Sequence, residues 1–113
     1  MTEFRVLVSE GNKVVAMSLV GELDIATAPR LESELRRVEG DRPSVLVIDL
    51  RQLSFIDSTG LRLLIGADVR AREDGRRMAF VPGPGSVHRV FQLALLDKRF
   101  EFVEDPSALK ETE

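Results

Sequence analysis

The chain has 113 residues, 43% of them hydrophobic and 31% charged, a length that gives one compact domain and a balance that gives a folded, soluble globule and not a disordered chain. Its 16 Lys and Arg are scattered against 19 Asp and Glu, for a formal net charge of −3, which lacks the electrostatic footprint of a direct DNA or RNA binder. Cysteine is absent, which excludes disulfides, thiol nucleophiles and thiolate metal sites together.

The N-terminus, MTEFRVLVSEG, has no apolar segment behind a basic start, and no stretch approaches the roughly eighteen continuous apolar residues of a bilayer span. A cytoplasmic protein without membrane insertion is expected. Phe4, Val6 and Val8 alternate with Arg5, Leu7 and Ser9, Glu10-Gly11-Asn12 turns the chain, and Val14 to Val20 follows, so the fold should open with an antiparallel hairpin. Thr27 can cap a first helix with Pro29 in its first turn, Leu31, Leu35 and Val38 recur at helical spacing, and Gly40 is a candidate stop. Ser44 to Leu50 is a nearly unbroken β-branched and Leu run, the mark of a central strand buried on both faces.

A second helix is predicted from Ser58 to about Glu73, stopped by Asp74-Gly75, with a strand from Arg77 to Val81 after it. Ser86 is the expected cap of a third helix whose apolar face is Val87, Val90, Phe91 and Ala94, and Phe100 to Val103 can add a short edge strand. The tail from Glu104 reads as frayed or weakly helical. The expected class is α/β, bordering on α+β: one domain over residues 1–113, ordered from about 3 to 104 with an acidic tail over 105–113. Its mixed sheet of four to five strands should carry three or four helices.

The chemically informative stretch is Phe55-Ile56-Asp57-Ser58-Thr59-Gly60-Leu61, between the buried strand and the second helix. A helix N-terminus leaves N–H groups unpaired and bears partial positive charge, so a phosphate on Ser58 would meet oriented donors and a favourable dipole. Phosphorylation would set about −1.5 to −2 charges beside Asp57, and a partner touching this turn would feel both bulk and repulsion. The plainer reading stays open beside it: Asp57 or Ser58 is a helix cap, and Gly60 a small residue where helix meets sheet. At about 100° per residue, Gly60, Leu63, Leu64, Ala67 and Ala71 should face the sheet. Ser58, Arg62, Ile65, Val69 and Arg72 then lie opposite, with Leu61 and Gly66 at the margins, and the aliphatic pair Ile65 and Val69 suggests a contact surface rimmed by arginines.

Enzymatic readings find little support. A serine at a strand-to-helix turn is placed like a hydrolase nucleophile, but Ile56 stands where that motif has glycine, and His88, the single histidine, reads as a surface or interface residue. In Pro82-Gly83-Pro84-Gly85-Ser86 two prolines remove N–H donors that a phosphate loop would need, so it reads as a stiff connection. One His and no Cys leave only scattered carboxylates for a metal.

The segments Gly21-Glu22-Leu23-Asp24-Ile25-Ala26-Thr27-Ala28-Pro29, Val45 to Leu50, Asp57-Ser58-Thr59-Gly60-Leu61 and Val87-His88-Arg89-Val90-Phe91 with Leu95-Leu96 together resemble the domain shared by sulfate transporters and anti-sigma factor antagonists, abbreviated STAS. The chain is most similar to free-standing members, since it starts and stops with the domain. The resemblance implies a partner switch: the unphosphorylated protein binds an anti-sigma factor that is also a serine kinase, freeing a sigma factor. Phosphorylation of Ser58 with the kinase's ATP releases the partner, and a serine phosphatase resets the cycle. Ser58 is the implied acceptor and Thr59, where a second serine is often found, the second choice; Asp57 would position Ser58, and Gly60 would permit close helix approach. Glu22 and Asp24 join Leu61, Arg62, Ile65 and Val69 as candidate partner contacts, although Asp24 also fits plain turn chemistry. No catalytic residue, cofactor or metal is expected, and a monomer exchanging partners is the default. An accessory subunit of a membrane transporter, or a component of a larger stress-signalling complex, is the alternative.

Overall fold

The structure, a computed structural model, describes residues 3–106. Strands β1 (Arg5–Glu10) and β2 (Val14–Leu23) form the predicted hairpin, with Val8 opposite Met17. Helix α1 (Ala28–Gly40), strands β3 (Val45–Asp49) and β4 (Leu53–Ile56), helix α2 (Ser58–Glu73), strand β5 (Arg77–Val81), helix α3 (Gly85–Leu93) and strand β6 (Glu101–Phe102) follow. The sheet runs β1-β2-β3-β5-β6, all pairs after the hairpin being parallel. Strand β3 is central, as its unbroken apolar run implied, and Val45 to Ile48 are buried on both faces.

The sheet has six strands where four to five were expected. The added one is β4, which pairs in parallel with the last residues of β2, Gly21 to Leu23, across an irregularity at Gly21-Glu22. Leu53 and Ile56 are buried while Ser54 and Phe55 are exposed, so β4 shows no period-2 pattern.

All three described helices pack on one face of the sheet. Leu31, Leu35 and Val38 of α1, Leu64, Ala67 and Ala71 of α2, and Val87 and Phe91 of α3 share a core with Met17, Leu19, Leu46, Ile48, Met78 and Phe80. The alternate residues Val45, Val47, Ala79 and Val81 make a smaller cluster on the opposite face, which is how a period-2 strand becomes apolar throughout. Asp68 breaks the apolar stripe of α2: it is buried and paired to Arg72 at 3.0 Å, which is how a carboxylate is tolerated there.

Local caps differ from expectation in three places. Thr27 is the N-cap of α1 but makes no side-chain cap bond, because its hydroxyl donates instead to the Glu22 carbonyl at 2.8 Å. Gly40 remains helical; Asp41 caps, Arg42 takes φ 50°, and Pro43 prevents continuation. Ser86 is not the cap of α3, since the helix begins at Gly85 with Pro84 at its N-cap, and Ala94 is exposed at its C-cap. Gly83 explains the stiff Pro-Gly-Pro-Gly connection, as a Cβ there would lie 2.7 Å from the Leu50 carbonyl oxygen. His88, expected at a surface or interface, is half-buried: its ring meets Phe102 edge-on at 4.9 Å, within the cluster of Phe80, Phe91 and Phe100. Of the tail predicted from Glu104, residues 107–113 lie outside the described residues.

Helix α3 closes with Leu96 N–H donating to Phe91 at 2.8 Å and Leu95 N–H to Gln92 at 3.0 Å, the paired bonds of a glycine-type C-terminal cap. The left-handed position is held by Leu95, with φ 61° and 80% exposure. Leu95→Gly should therefore raise stability by about 0.5–1 kcal/mol, since glycine removes the left-handed penalty at some cost in unfolded-state entropy. A higher urea midpoint at unchanged m-value checks this.

Candidate functional site

The site lies at the carboxyl ends of the paired strands β2 and β4. In their register Leu23 stands beside Ile56, so the residues that follow, the loop into α1 and the turn into α2, emerge side by side. The Asp57 N–H donates to the Leu23 carbonyl at 3.1 Å, extending the strand pairing into the turn.

Asp57 organises the turn with both carboxylate oxygens. Oδ1 accepts the Gly60 N–H at 3.0 Å and makes Asp57 the N-cap of α2, while Oδ2 accepts the Ile25 N–H at 3.2 Å from the neighbouring loop. The plain reading of Asp57 as a cap is thus correct, and the same side chain also ties two segments thirty-two residues apart in sequence. Asp24 does turn chemistry, its Oδ1 accepting the N–H groups of Ala26 and Thr27, each at 3.0 Å. The Thr27 hydroxyl accepts the Asp24 N–H at 2.9 Å and completes the loop.

Ser58 follows the cap as the first residue of α2 and is exposed. Among the described residues its hydroxyl has no hydrogen-bond partner, so it is not the cap. Asp57 occupies the Gly60 N–H and the Leu61 N–H donates to the Asp57 carbonyl at 3.0 Å, which leaves the Ser58 and Thr59 N–H groups as the open donors of the first turn. Thr59 is half-buried, a less accessible hydroxyl than that of Ser58. Among the described residues no hydrogen bond joins Ser58 to His88, whose ring packs on Phe102.

Gly60 sits where α2 crosses β2 and β4: a Cβ there would lie 2.6 Å from Leu23 Cγ and 3.1 Å from Ile56 Cγ1. On the other candidates the structure is selective. Arg62 is exposed; Leu61 and Ile65 are half-buried and partly packed against the core; Val69 is half-buried. Glu22 is half-buried in the strand register opposite Phe55. Two residues that sequence reasoning did not single out stand beside the turn: Ile25, 75% exposed, and Phe55, 47% exposed. An isoleucine inside a turn stretch flanked by Asp24 and Thr27 was the available signal for the first; Phe55 gave none, since β4 itself was missed.

Among the described residues, no helix is long and apolar enough to cross a membrane, and no group of three His, Asp or Glu side chains is arranged to hold a metal.

Comparison with known proteins bears on the same elements. The STAS domain model matches residues 5–109. The anti-sigma-F factor antagonist RsfB of Mycobacterium tuberculosis is 38% identical over 97 residues, covering 84% of this chain and 77% of the relative. The crystal structure of an anti-sigma factor antagonist from Mycobacterium paratuberculosis superposes with a TM-score of 0.85 at 31% identity, covering 94% of this chain and 90% of the other. The anti-sigma factor antagonist SpoIIAA in its unphosphorylated form shares the fold, with a TM-score of 0.78 at 20% identity over 92% of each chain. The path from β2 through the Asp57 turn into α2 is therefore that of a family fold, and the chain belongs to the STAS domain family.

Proposed function

We propose that the chain is an anti-sigma factor antagonist that binds an anti-sigma factor while Ser58 carries a free hydroxyl and lets go when Ser58 is phosphorylated. The observation that carries this reading is the exposed, unbonded Ser58 directly after a cap that is already complete without it. Adding a phosphate there breaks no structural bond, so modification can change the surface and leave the fold intact. The relatives reported above are named as regulators and not as enzymes, which supports a binding role.

The switch is electrostatic. The two open N–H donors and the helix dipole accommodate the phosphate, while its charge adds to the acidic rim of Asp57, Asp24 and Glu22 and opposes any partner that has desolvated this turn. Ile25 and Phe55 supply apolar contact beside Ser58, with Arg62, Ile65 and Val69 continuing the surface along α2. In this reading the partner is an anti-sigma factor with serine kinase activity that consumes ATP, and a serine phosphatase restores the hydroxyl. The antagonist itself acts in the cytoplasm as a monomer, without a cofactor.

The test uses wild-type, Ser58→Ala and Ser58→Asp chains as baits in native-host lysate, followed by affinity measurement on the captured protein. A serine kinase of the anti-sigma type should be held by the first two and bound about a hundredfold more weakly by the third, since a like charge at an interface costs several kcal/mol. The melting temperatures of the three should agree within about 2 °C, as surface changes away from structural bonds alter stability little. Equal capture by all three baits, or recovery of a permease or its ATPase, would overturn the reading in favour of an accessory subunit. Stoichiometric phosphorylation of Ser58→Ala would move the acceptor to Thr59.

A further inference from the structure

At the far end of α2 from Ser58, about 20 Å along the helix by its rise per residue, lies a half-open cleft of about 360 Å³. The last turn of α2 contributes Arg72, the connection into β5 contributes Arg76, the first residue of β5 is Arg77, and the segment before β6 contributes Lys98 and Arg99. Only two carboxylates line it, those of Asp68 and Glu101, so the wall carries an excess of three positive charges in a chain whose formal net charge is −3.

Those carboxylates are already committed. Asp68 is shared by Arg72 at 3.0 Å and Arg99 at 3.7 Å, and Glu101 is bonded by Arg77 through Nε at 3.0 Å and through Nη2. The Arg77 bonds hold the Glu101 carboxyl below its ordinary range, so it stays ionised and keeps that cation. One cation is left over, and one guanidinium is bonded on one side only. Lys98 makes no ion pair among the described residues. The Arg76 side chain is only 9% exposed; its Nη2 meets Asp74 at 3.1 Å, while its Nε is buried with no acceptor. A buried N–H without an acceptor is rare in native proteins and points to a missing partner.

We propose that this cleft is a binding site for a small phosphate-bearing anion, held by Arg76 and Lys98 with Arg72, Arg77 and Arg99 around it. The volume suits a ligand of a few phosphate or sugar-phosphate units, and guanidinium forks match phosphate oxygens in geometry as well as charge. Free inorganic phosphates and phosphate on an organic carrier present the same chemistry to the wall. The site is separate from the Ser58 turn and stands whether or not that turn is a switch.

The test is a titration of the ¹⁵N-labelled full chain with sodium pyrophosphate and, separately, with glycerol 3-phosphate, each against sodium chloride at equal ionic strength. Saturable shifts should appear at the amides of Arg76, Arg77, Lys98 and Arg99. Lys98→Gln, a change at an exposed residue that leaves the fold intact, should weaken binding about tenfold through the loss of one charge-assisted bond, and Ser58→Ala should leave it unchanged. Tighter binding of pyrophosphate identifies a free phosphate as the ligand type, and tighter binding of glycerol 3-phosphate an organic carrier. Shifts that merely follow ionic strength, shifts that centre on Ser58 and Thr59, or wild-type affinity in Lys98→Gln would overturn the assignment.

Discussion

Gly60→Val should lower the stability of the chain by about 3 kcal/mol and reduce the melting temperature by more than about 10 °C. A Cβ at this position would lie 2.6 Å from Leu23 Cγ and 2.8 Å from Leu23 Cδ2, and Leu23 is itself fully buried. The leucine cannot yield into solvent, so the first turn of α2 has to lift from β2 and β4. Better helix propensity returns only about half a kcal/mol. Because Ser58 and Asp57 sit on that same turn, the variant should also lose partner binding beyond what instability explains. Gly60→Ala is the graded control, with the same Cβ contact and neither of the two γ-methyl groups. Chemical denaturation of both variants, with affinity measured on the fraction that remains folded, separates the two effects. A Gly60→Val chain of wild-type stability would mean that the helix does not approach the sheet as closely as the 2.6 Å contact requires.

Gly21→Ala is expected to be at least as damaging, about 3 kcal/mol or more, for a different reason. Gly21 adopts φ +104°, which side-chain-bearing residues rarely reach, and a Cβ would fall 2.3 Å from the Glu3 carbonyl oxygen. The obstacle is backbone, which cannot rotate aside. This is also where β2 leaves β1 and takes up β4: the Gly21 N–H donates to Gln52 at 3.2 Å and its carbonyl accepts the Ser54 hydroxyl at 3.0 Å. Relieving the clash would cost the β2–β4 pairing, and with it the turn after β4. Loss of cooperativity in thermal unfolding, alongside the lower midpoint, is the expected signature. An unaltered transition in Gly21→Ala would show that the bend does not need glycine.

The hairpin, the central strand, both long helices and β5 were legible because each has a period that its surroundings respect. Val45 to Ile48 read as buried on both faces, and they are. Leu31, Leu35 and Val38 recur at helical spacing and face the core. Strand β4 was illegible since its four residues are buried at the ends and exposed in the middle, a pattern set by its partner and not by its own sequence. The cap bonds were only partly legible for a related reason: Thr27 stands at the N-cap of α1 as expected, but without a side-chain cap bond. Thr27, the predicted cap, is captured by the tertiary contact to Glu22, and an exposed Leu95 occupies a position whose local preference is glycine. At the site, Ser58 and the capping role of Asp57 were readable from the strand-to-helix position. The second bond of Asp57, to Ile25, was not, because it depends on a β2–β4 register that the sequence does not announce.

That register has a dynamic consequence. From Val15 to Ser18, β2 has hydrogen-bonded neighbours on both sides, β1 and β3, whereas its last residues, Gly21 to Leu23, are in ladder register with β4 among the described residues. A single strand is therefore expected to show two levels of amide protection, a middle guarded by ladders on both sides and an end whose protection follows its pairing with β4, which hydrogen exchange would read directly. The loop bearing Ile25 and the turn bearing Ser58 both hang on that end. The turn bearing the Ser58 hydroxyl is thus carried on a short ladder, while the core beneath it is held by the longer ones.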